Sequence, residues 1–174
     1  LDIIKDRQYT TQENSLARRS AQTALFHVME AFTRWISPIL SFTADEIWRS
    51  MPGERAESVF LETWYAGLVE LDGSEAQGRD FWKQILEAKV ATNKVLEAAR
   101  SDGKIKASLS AEITLYCDQA LTTSLDVLGE ELRFVLIASN VIVKPLSEAG
   151  SDAVETEMEG LKVSVALSEK SKCV

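Results

Sequence analysis

Between Asn14 and Ile36 apolar residues return at steps of four and three, at Ala21, Leu25, Val28, Phe32 and Trp35, the period of a helix that buries one face. Arg19, Thr23, His27, Glu30 and Arg34 fall on the opposite stripe, which the pattern assigns to solvent. Asn14 or Ser15 can cap the start, and Ser37-Pro38 ends the helix because proline disfavours a helical conformation in the residue before it. Thr43-Ala44-Asp45-Glu46 reads as a capping box that opens a shorter helix, turning Ile47 and Trp48 inward and stopping at Pro52-Gly53. Residues 54–78 carry an apolar piece (Val59, Phe60, Leu61, Trp64, Tyr65) and a Gly/Asp/Ser-rich stretch, and read as a connection wrapped over the helices.

A second long helix is predicted from about Arg79 to Arg100, with Phe81, Ile85, Ala88, Thr92, Val95 and Ala99 on one face and Asp102-Gly103 as its stop. After Gly103 the period changes. Ala111 to Cys117 alternates and is β-branched, Leu121 to Ile137 suits one or two helices, Asn140 to Leu146 contains Val141, Ile142 and Val143, and Leu161 to Leu167 alternates again. The expected fold is therefore mainly α: a helical bundle over residues 1–103 and a small C-terminal α+β subdomain of about three strands over 104–174. Ser147 to Gly160, rich in acids, is expected as an exposed loop.

Charge changes this picture in one place. The 174 residues carry a net charge of −8, yet residues 81–110 hold six basic and three acidic side chains, whereas 51–80 hold two and seven. An acidic total argues against non-specific binding along a long nucleic acid, which draws on phosphate neutralisation, and leaves room for a local basic stripe. One histidine and two cysteines cannot supply a complete zinc site or a disulfide framework. The longest apolar run, Phe134 to Ala138, is far too short to span a membrane, and no secretory signal is visible, so a cytoplasmic, reducing setting is the default. Leu1 and Ile4 already sit on a helical face with no cap before them, as in a piece of something longer.

No Gly-rich phosphate loop, nucleophile elbow or His-Glu-x-x-His occurs, and catalysis within the chain is not expected. His27 reads as an exposed histidine, Asp45 and Glu46 as cap residues rather than an acid/base pair, Cys117 as a small buried apolar residue, and Trp35, Trp48 and Trp64 as core. The sharp cluster lies on the second long helix, where Trp82, Lys89, Asn93, Leu96 and Arg100 form one ridge, with Lys94, Lys104 and Lys106 nearby. A ring, an amide and several cations in line suit unstacked RNA: the ring stacks a base, the amide reads its edge, and the cations hold phosphates. The same ridge admits a second reading, with Trp82 and Leu96 at the edge of the core and their cationic neighbours snorkelling.

Three stretches go further: the opening Leu1-Asp2-Ile3-Ile4-Lys5-Asp6-Arg7, the run Ala17-Arg18-Arg19-Ser20-Ala21-Gln22-Thr23-Ala24-Leu25, and Ser37-Pro38-Ile39-Leu40-Ser41-Phe42-Thr43-Ala44-Asp45-Glu46-Ile47-Trp48. With Lys89 to Arg100 and Glu130 to Leu136, they resemble the helical anticodon-binding domain of class I aminoacyl-tRNA synthetases, most closely the bacterial isoleucyl family, over nearly the whole chain. The resemblance implies recognition and positioning of the anticodon stem-loop of an isoleucine tRNA by a monomer without a membrane role. It also implies a catalytic domain elsewhere in a longer ligase that uses ATP, magnesium and zinc. On it, Trp82, Lys89, Asn93, Lys94 and Arg100 would meet the loop, while Arg7, Arg18, Arg19, Lys104 and Lys106 would meet backbone phosphates. Lys172-Cys173-Val174 resembles the opening of the family's zinc-binding tail, with Cys173 as first ligand. Two departures stand out: Ile105 to Ala111 lacks the small Gly-containing element usual there, and Lys89 replaces the usual arginine, keeping charge but losing a bidentate fork. The alternatives are the same domain of a valyl enzyme, a protein-interaction helical domain, and a hydrolase built on Asp45 and Glu46.

Overall fold

A computed structural model describes residues 2–70, 73 and 75–169. Its contacts divide into two units, residues 6–70 and residues 1–5 with 71–174. The boundary suggested at residue 103 instead separates a helix from the sheet it packs on. Helix α1 (Asp2–Thr10) spans the division at its first turn.

The unit of residues 6–70 is built on α2 (Leu16–Ile36) and α3 (Ser41–Ser50). Ser15 caps α2, its hydroxyl accepting from the Arg18 amide at 3.2 Å, and the helix ends just ahead of Ser37-Pro38, as the pattern predicts. The face it buries is the predicted one only in its first half, where Ala21 is buried and Leu25 half-buried. Ala21, Glu30, Ala31 and Thr33 are buried, whereas Val28, Phe32 and Trp35 are exposed. Ala31 and Thr33 are small, and the charged residues beside them pair with one another. Arg34 donates to the Glu30 carboxylate and, at 3.0 Å, to Glu62, while Arg55 reaches the other Glu30 oxygen at 3.0 Å. Both guanidinium groups lie over the Trp48 ring, at 4.6 and 4.5 Å from its centroid, and the indole N–H donates to the Ala56 carbonyl at 2.8 Å. Burial raises the Glu30 carboxyl pKa, but the bonds from Arg34 and Arg55 outweigh it and hold the group below its ordinary value.

The capping box is also corrected. Helix α3 begins at Ser41 with Leu40 as its N-cap and no side-chain cap bond, because a tight turn after Ile36 already sets the chain: the Leu40 amide donates to the Ile36 carbonyl at 2.7 Å. Asp45 therefore lies inside the helix, accepting from the Ser58 hydroxyl at 2.6 Å and pairing with Arg49 at 2.7 Å, which together keep its carboxyl below the usual range. Of the three tryptophans read as core, Trp48 is buried, while Trp35 and Trp64 are exposed, Trp64 at 74 %. The connection after α3 has one 3-10 turn, Val59–Leu61, through which Val59 joins Ala44 and Trp48 in a small apolar cluster.

The other unit holds α4 (Arg79–Ser101), β1 (Ala111–Cys117), α5 (Gln119–Asp126), α6 (Leu132–Leu136), β2 (Asn140–Pro145), β3 (Val154–Glu155) and β4 (Leu161–Leu167). The sheet order is β2-β1-β4-β3, with β1 and β2 parallel and the other pairs antiparallel. The parallel pair requires a crossover, which α5 and α6 supply. Alternation along β1 puts Ile113, Leu115 and Cys117 on one face, and the register sets Leu115 beside Val143 and Val163. That face, α5, α6 and the buried side of α4 enclose one continuous apolar core from Ile85 to Val163. The predicted sheet of about three strands has a fourth, β3, inside the segment read as an exposed loop. At two residues, both exposed, β3 is too short to leave an alternating signal. Gly160 must be glycine: its φ is +78° and a Cβ would come within 2.4 Å of a carboxylate oxygen of Asp118, the cap of α5. Cys117 is buried, as expected, and burial, with the negative charges of Asp118 and Asp126, pushes its thiol up to about 12.

Candidate nucleic-acid interface

Helix α4 carries most of the candidate residues, and its physics decides which of them reach solvent. Alanines and straight-chain residues favour the helix, Asp80 lies in its first turn and Arg100 in its last, where each complements the helix dipole, and Gly103 with φ +75° follows its end. Ile85, Ala88, Thr92 and Ala99 are buried as predicted, joined by Ala91 and Leu96. Thr92 stays satisfied by donating to the Ala88 carbonyl at 2.8 Å.

The predicted ridge straddles the edge of this buried face. Leu96, 2 % exposed, belongs to the core, and Lys89 is half-buried. Trp82, at 37 %, looks outward, and Asn93, Lys94 and Arg100 are exposed. Both snorkelling and presentation therefore occur on one helix, divided between neighbouring positions.

The outward face has two halves of different chemistry. Toward the N-terminus, Trp82, Leu86 and Val90 line up at helical spacing and, with Met158, form an open apolar groove of about 760 Å³ whose rim carries Arg79, Lys83, Glu87 and Glu157. The sequence reading missed Leu86, Val90 and the two rim cations. The available signal was the apolar series at 82, 86 and 90, surplus to a helix whose other face was already filled. Toward the C-terminus the surface is polar. Lys94 is ion-paired with Glu157, and Arg100 pairs with Glu97 at 2.6 Å. A second groove of about 300 Å³ sets Lys94 and Lys104 beside Asp102, Asp152, Glu155 and Glu157. Lys106 is exposed in the irregular segment between the helix and β1.

Of the candidates in the unit of residues 6–70, Arg19 is exposed, while Arg7 and Arg18 are half-buried. Arg18 donates to the Thr11 carbonyl at 3.5 Å, tying its side chain to the α1–α2 turn. His27 is half-buried rather than exposed, its Nδ1 lying 2.6 Å from the Tyr65 hydroxyl. Cys173 lies outside the described residues. Among the described residues, no three His, Cys, Asp or Glu side chains cluster as metal ligands, and no helix is long and apolar enough to cross a membrane.

Comparison with known proteins identifies the family. The family model for the anticodon-binding domain of tRNA ligase matches residues 1–115. The chain is 77 % identical over its full length to the isoleucine-tRNA ligase of Marinomonas sp. (strain MWYL1), 56 % identical over 99 % to that of Pseudomonas paraeruginosa and 55 % identical over 99 % to that of Edwardsiella ictaluri. It spans 18 % of the length of each of these relatives. With a helical face of ring, amide and cations on an acidic chain, and with most of its length matched by one family, this chain belongs to the anticodon-binding domains of the tRNA ligases.

Proposed function

We propose that the chain is the anticodon-binding region of an isoleucine-tRNA ligase, and that it grips the anticodon stem-loop of an isoleucine tRNA so that the acceptor end reaches a catalytic domain elsewhere in the longer protein. That domain would carry the ATP-dependent chemistry; this chain contributes orientation. The carrying observation is the outward face of α4, where Trp82 is followed along the same helix by Asn93, Lys94 and Arg100 in a chain of net charge −8. Unpaired loop bases offer π-faces for Trp82 and edges for Asn93, whereas a duplex hides both. Lys89, Lys94, Arg100, Lys104, Lys106 and Arg19 hold phosphates. Arg18 contributes chiefly by fixing the α1–α2 turn near Arg19, and Arg7, half-withdrawn from solvent like Arg18, offers only part of its charge to a phosphate.

The test is a salt titration of hairpin binding by the 174-residue chain. An anticodon hairpin should bind more tightly than the same stem closed by a scrambled loop. Its log affinity should fall linearly with log salt, with a slope set by the few phosphates neutralised. Trp82→Ala should weaken the cognate hairpin about tenfold, as loss of one base-stacking platform does. Equal binding of both loops would refute loop recognition. The apolar groove beside Trp82 favours one second reading, a docking face for a protein segment, and that reading requires affinity almost independent of salt.

A further inference from the structure

The basic excess of residues 81–110 does not stand open to solvent along its length. The fold lays an acidic arm against it, the segment 148–159 that contains Glu148, Asp152, Glu155, Glu157 and Glu159. Most of the arm's local bonding is internal to the sheet: Asp152 accepts from Ser164, and Glu155 pairs with Lys162 at 2.9 Å. Glu157 is different. Its carboxylate crosses to α4 and takes the Lys94 ammonium, a partner 63 residues away in sequence. Stability does not account for this contact. The two side chains are 55 % and 77 % exposed, and a pair so placed in water adds little to stability. The arm is anchored on either side of Glu157 without it, by Thr156, whose hydroxyl donates to the Leu161 carbonyl at 2.8 Å, and by Met158, which packs on the apolar core.

We infer that Glu157 is an intramolecular substitute for RNA phosphate, holding Lys94 until a hairpin of the right shape displaces it. The inference rests on the anticodon reading above. A carboxylate held beside the ammonium competes with any phosphate that arrives, and the incoming group gains only the difference between two similar charge-assisted bonds. An anion that meets Lys94 alone gains almost nothing. A stem-loop that also stacks on Trp82 and meets Asn93 and Arg100 recovers the loss through contacts that polyanions of other shapes do not make. Glu157 thus sets a threshold and leaves the ratios of affinities unchanged: it lowers binding of every polyanion that uses Lys94 by the same factor, and at a given concentration only the one with further contacts stays bound.

The test uses the 174-residue chain, a fluorescein-labelled anticodon hairpin and fluorescence anisotropy at low and at high salt. Glu157→Gln should tighten binding about threefold to fivefold at low salt, the factor available from one exposed pair, and the gain should shrink as salt rises. Glu159→Gln removes the same charge two residues further along the arm and should gain clearly less. In a Lys94→Met background Glu157→Gln should gain nothing. Equal gains from Glu157→Gln and Glu159→Gln, or a gain that survives Lys94→Met, would overturn the inference while leaving the anticodon reading in place, because a change of net charge would then explain everything. Absence of hairpin binding by all of these proteins at low salt would overturn the anticodon reading, and this inference with it.

Discussion

The two units are held together by opposite means. The unit with the sheet buries a continuous apolar core, in which Ile113, Leu115 and Val163 meet Ile85, Leu96, Leu121 and Leu125. The unit of residues 6–70 has, among its described residues, an apolar cluster of only Ala44, Trp48 and Val59, and its buried centre is completed by Glu30, Arg34 and Arg55 around the Trp48 ring. Its large apolar side chains, including Val28, Phe32, Trp35, Ile39, Phe42 and Trp64, point to solvent. Burial fraction alone would not reveal the difference. An apolar core tolerates small losses by shifting to fill space, whereas a buried ion network fails abruptly, because removing one member strands the charge of another.

The largest effect should come from breaking the network. Glu30→Ala leaves the Arg34 and Arg55 guanidinium groups without their shared carboxylate and should cost about 3–5 kcal/mol, confined to residues 6–70. Native-state hydrogen exchange would show protection lost along α2 and α3 and kept along β1 and β4. Equal loss in both units would mean that they unfold as one and that the contrast drawn here is empty. Leu115→Ala is the mirror experiment: a fully buried leucine in the sheet unit, costing about 2–5 kcal/mol, with protection lost in β1 and β4 and kept in α2.

Acid should sharpen the contrast further. The folded Glu30 carboxyl titrates below its unfolded value, so its contribution is complete above about pH 4.3 and is lost as pH falls through the lower folded value. Helix α2 should therefore lose exchange protection below about pH 4, ahead of the sheet core, whose interior holds no carboxylate among its buried members. The smallest effect is expected from Phe42→Ser, within about 0.5 kcal/mol in thermal or denaturant melts of this chain, since the ring, 93 % exposed, is already in water. A loss comparable to that of Leu115→Ala would mean that the large apolar side chains of residues 6–70 are buried after all.

The buried face of α2 shows what a sequence can and cannot convey. Periodicity located β1 and β4 to the residue and α4 to within one, because strands with one face against a core and long helices with one buried stripe leave a repeat that no other structure produces. It located α2 equally well, and then assigned the inner face of its second half wrongly. The repeat at Val28, Phe32 and Trp35 is real, but a repeat reports that a stripe exists and not what covers it. Within this chain the buried positions of that half are instead Ala31 and Thr33, which are small, and Glu30, paired with Arg34, whose guanidinium covers Trp48 of α3. No single-residue property announces that pairing, since one of the partners, Arg55, lies 25 residues from Glu30. The candidate interface divides in the same way. Trp82, Asn93 and Arg100 were legible as one ridge from helical spacing, with Lys94 as a neighbouring charge, as was the end of the helix at Asp102-Gly103. The carboxylate on Lys94 was not, because the arm that supplies it reaches α4 only through the sheet.

The placement of the tryptophans has a spectroscopic corollary. Trp35, Trp48 and Trp64 all lie in residues 6–70, and only Trp48 is shielded from water, against two guanidinium groups. Intrinsic emission therefore carries a blue component from one indole beneath the arginine pair and a red component from the other two. Melting of the ion network would shift the blue component without any label. Melting of the sheet would register only through Trp82, so one fluorimeter trace resolves the two halves of the molecule.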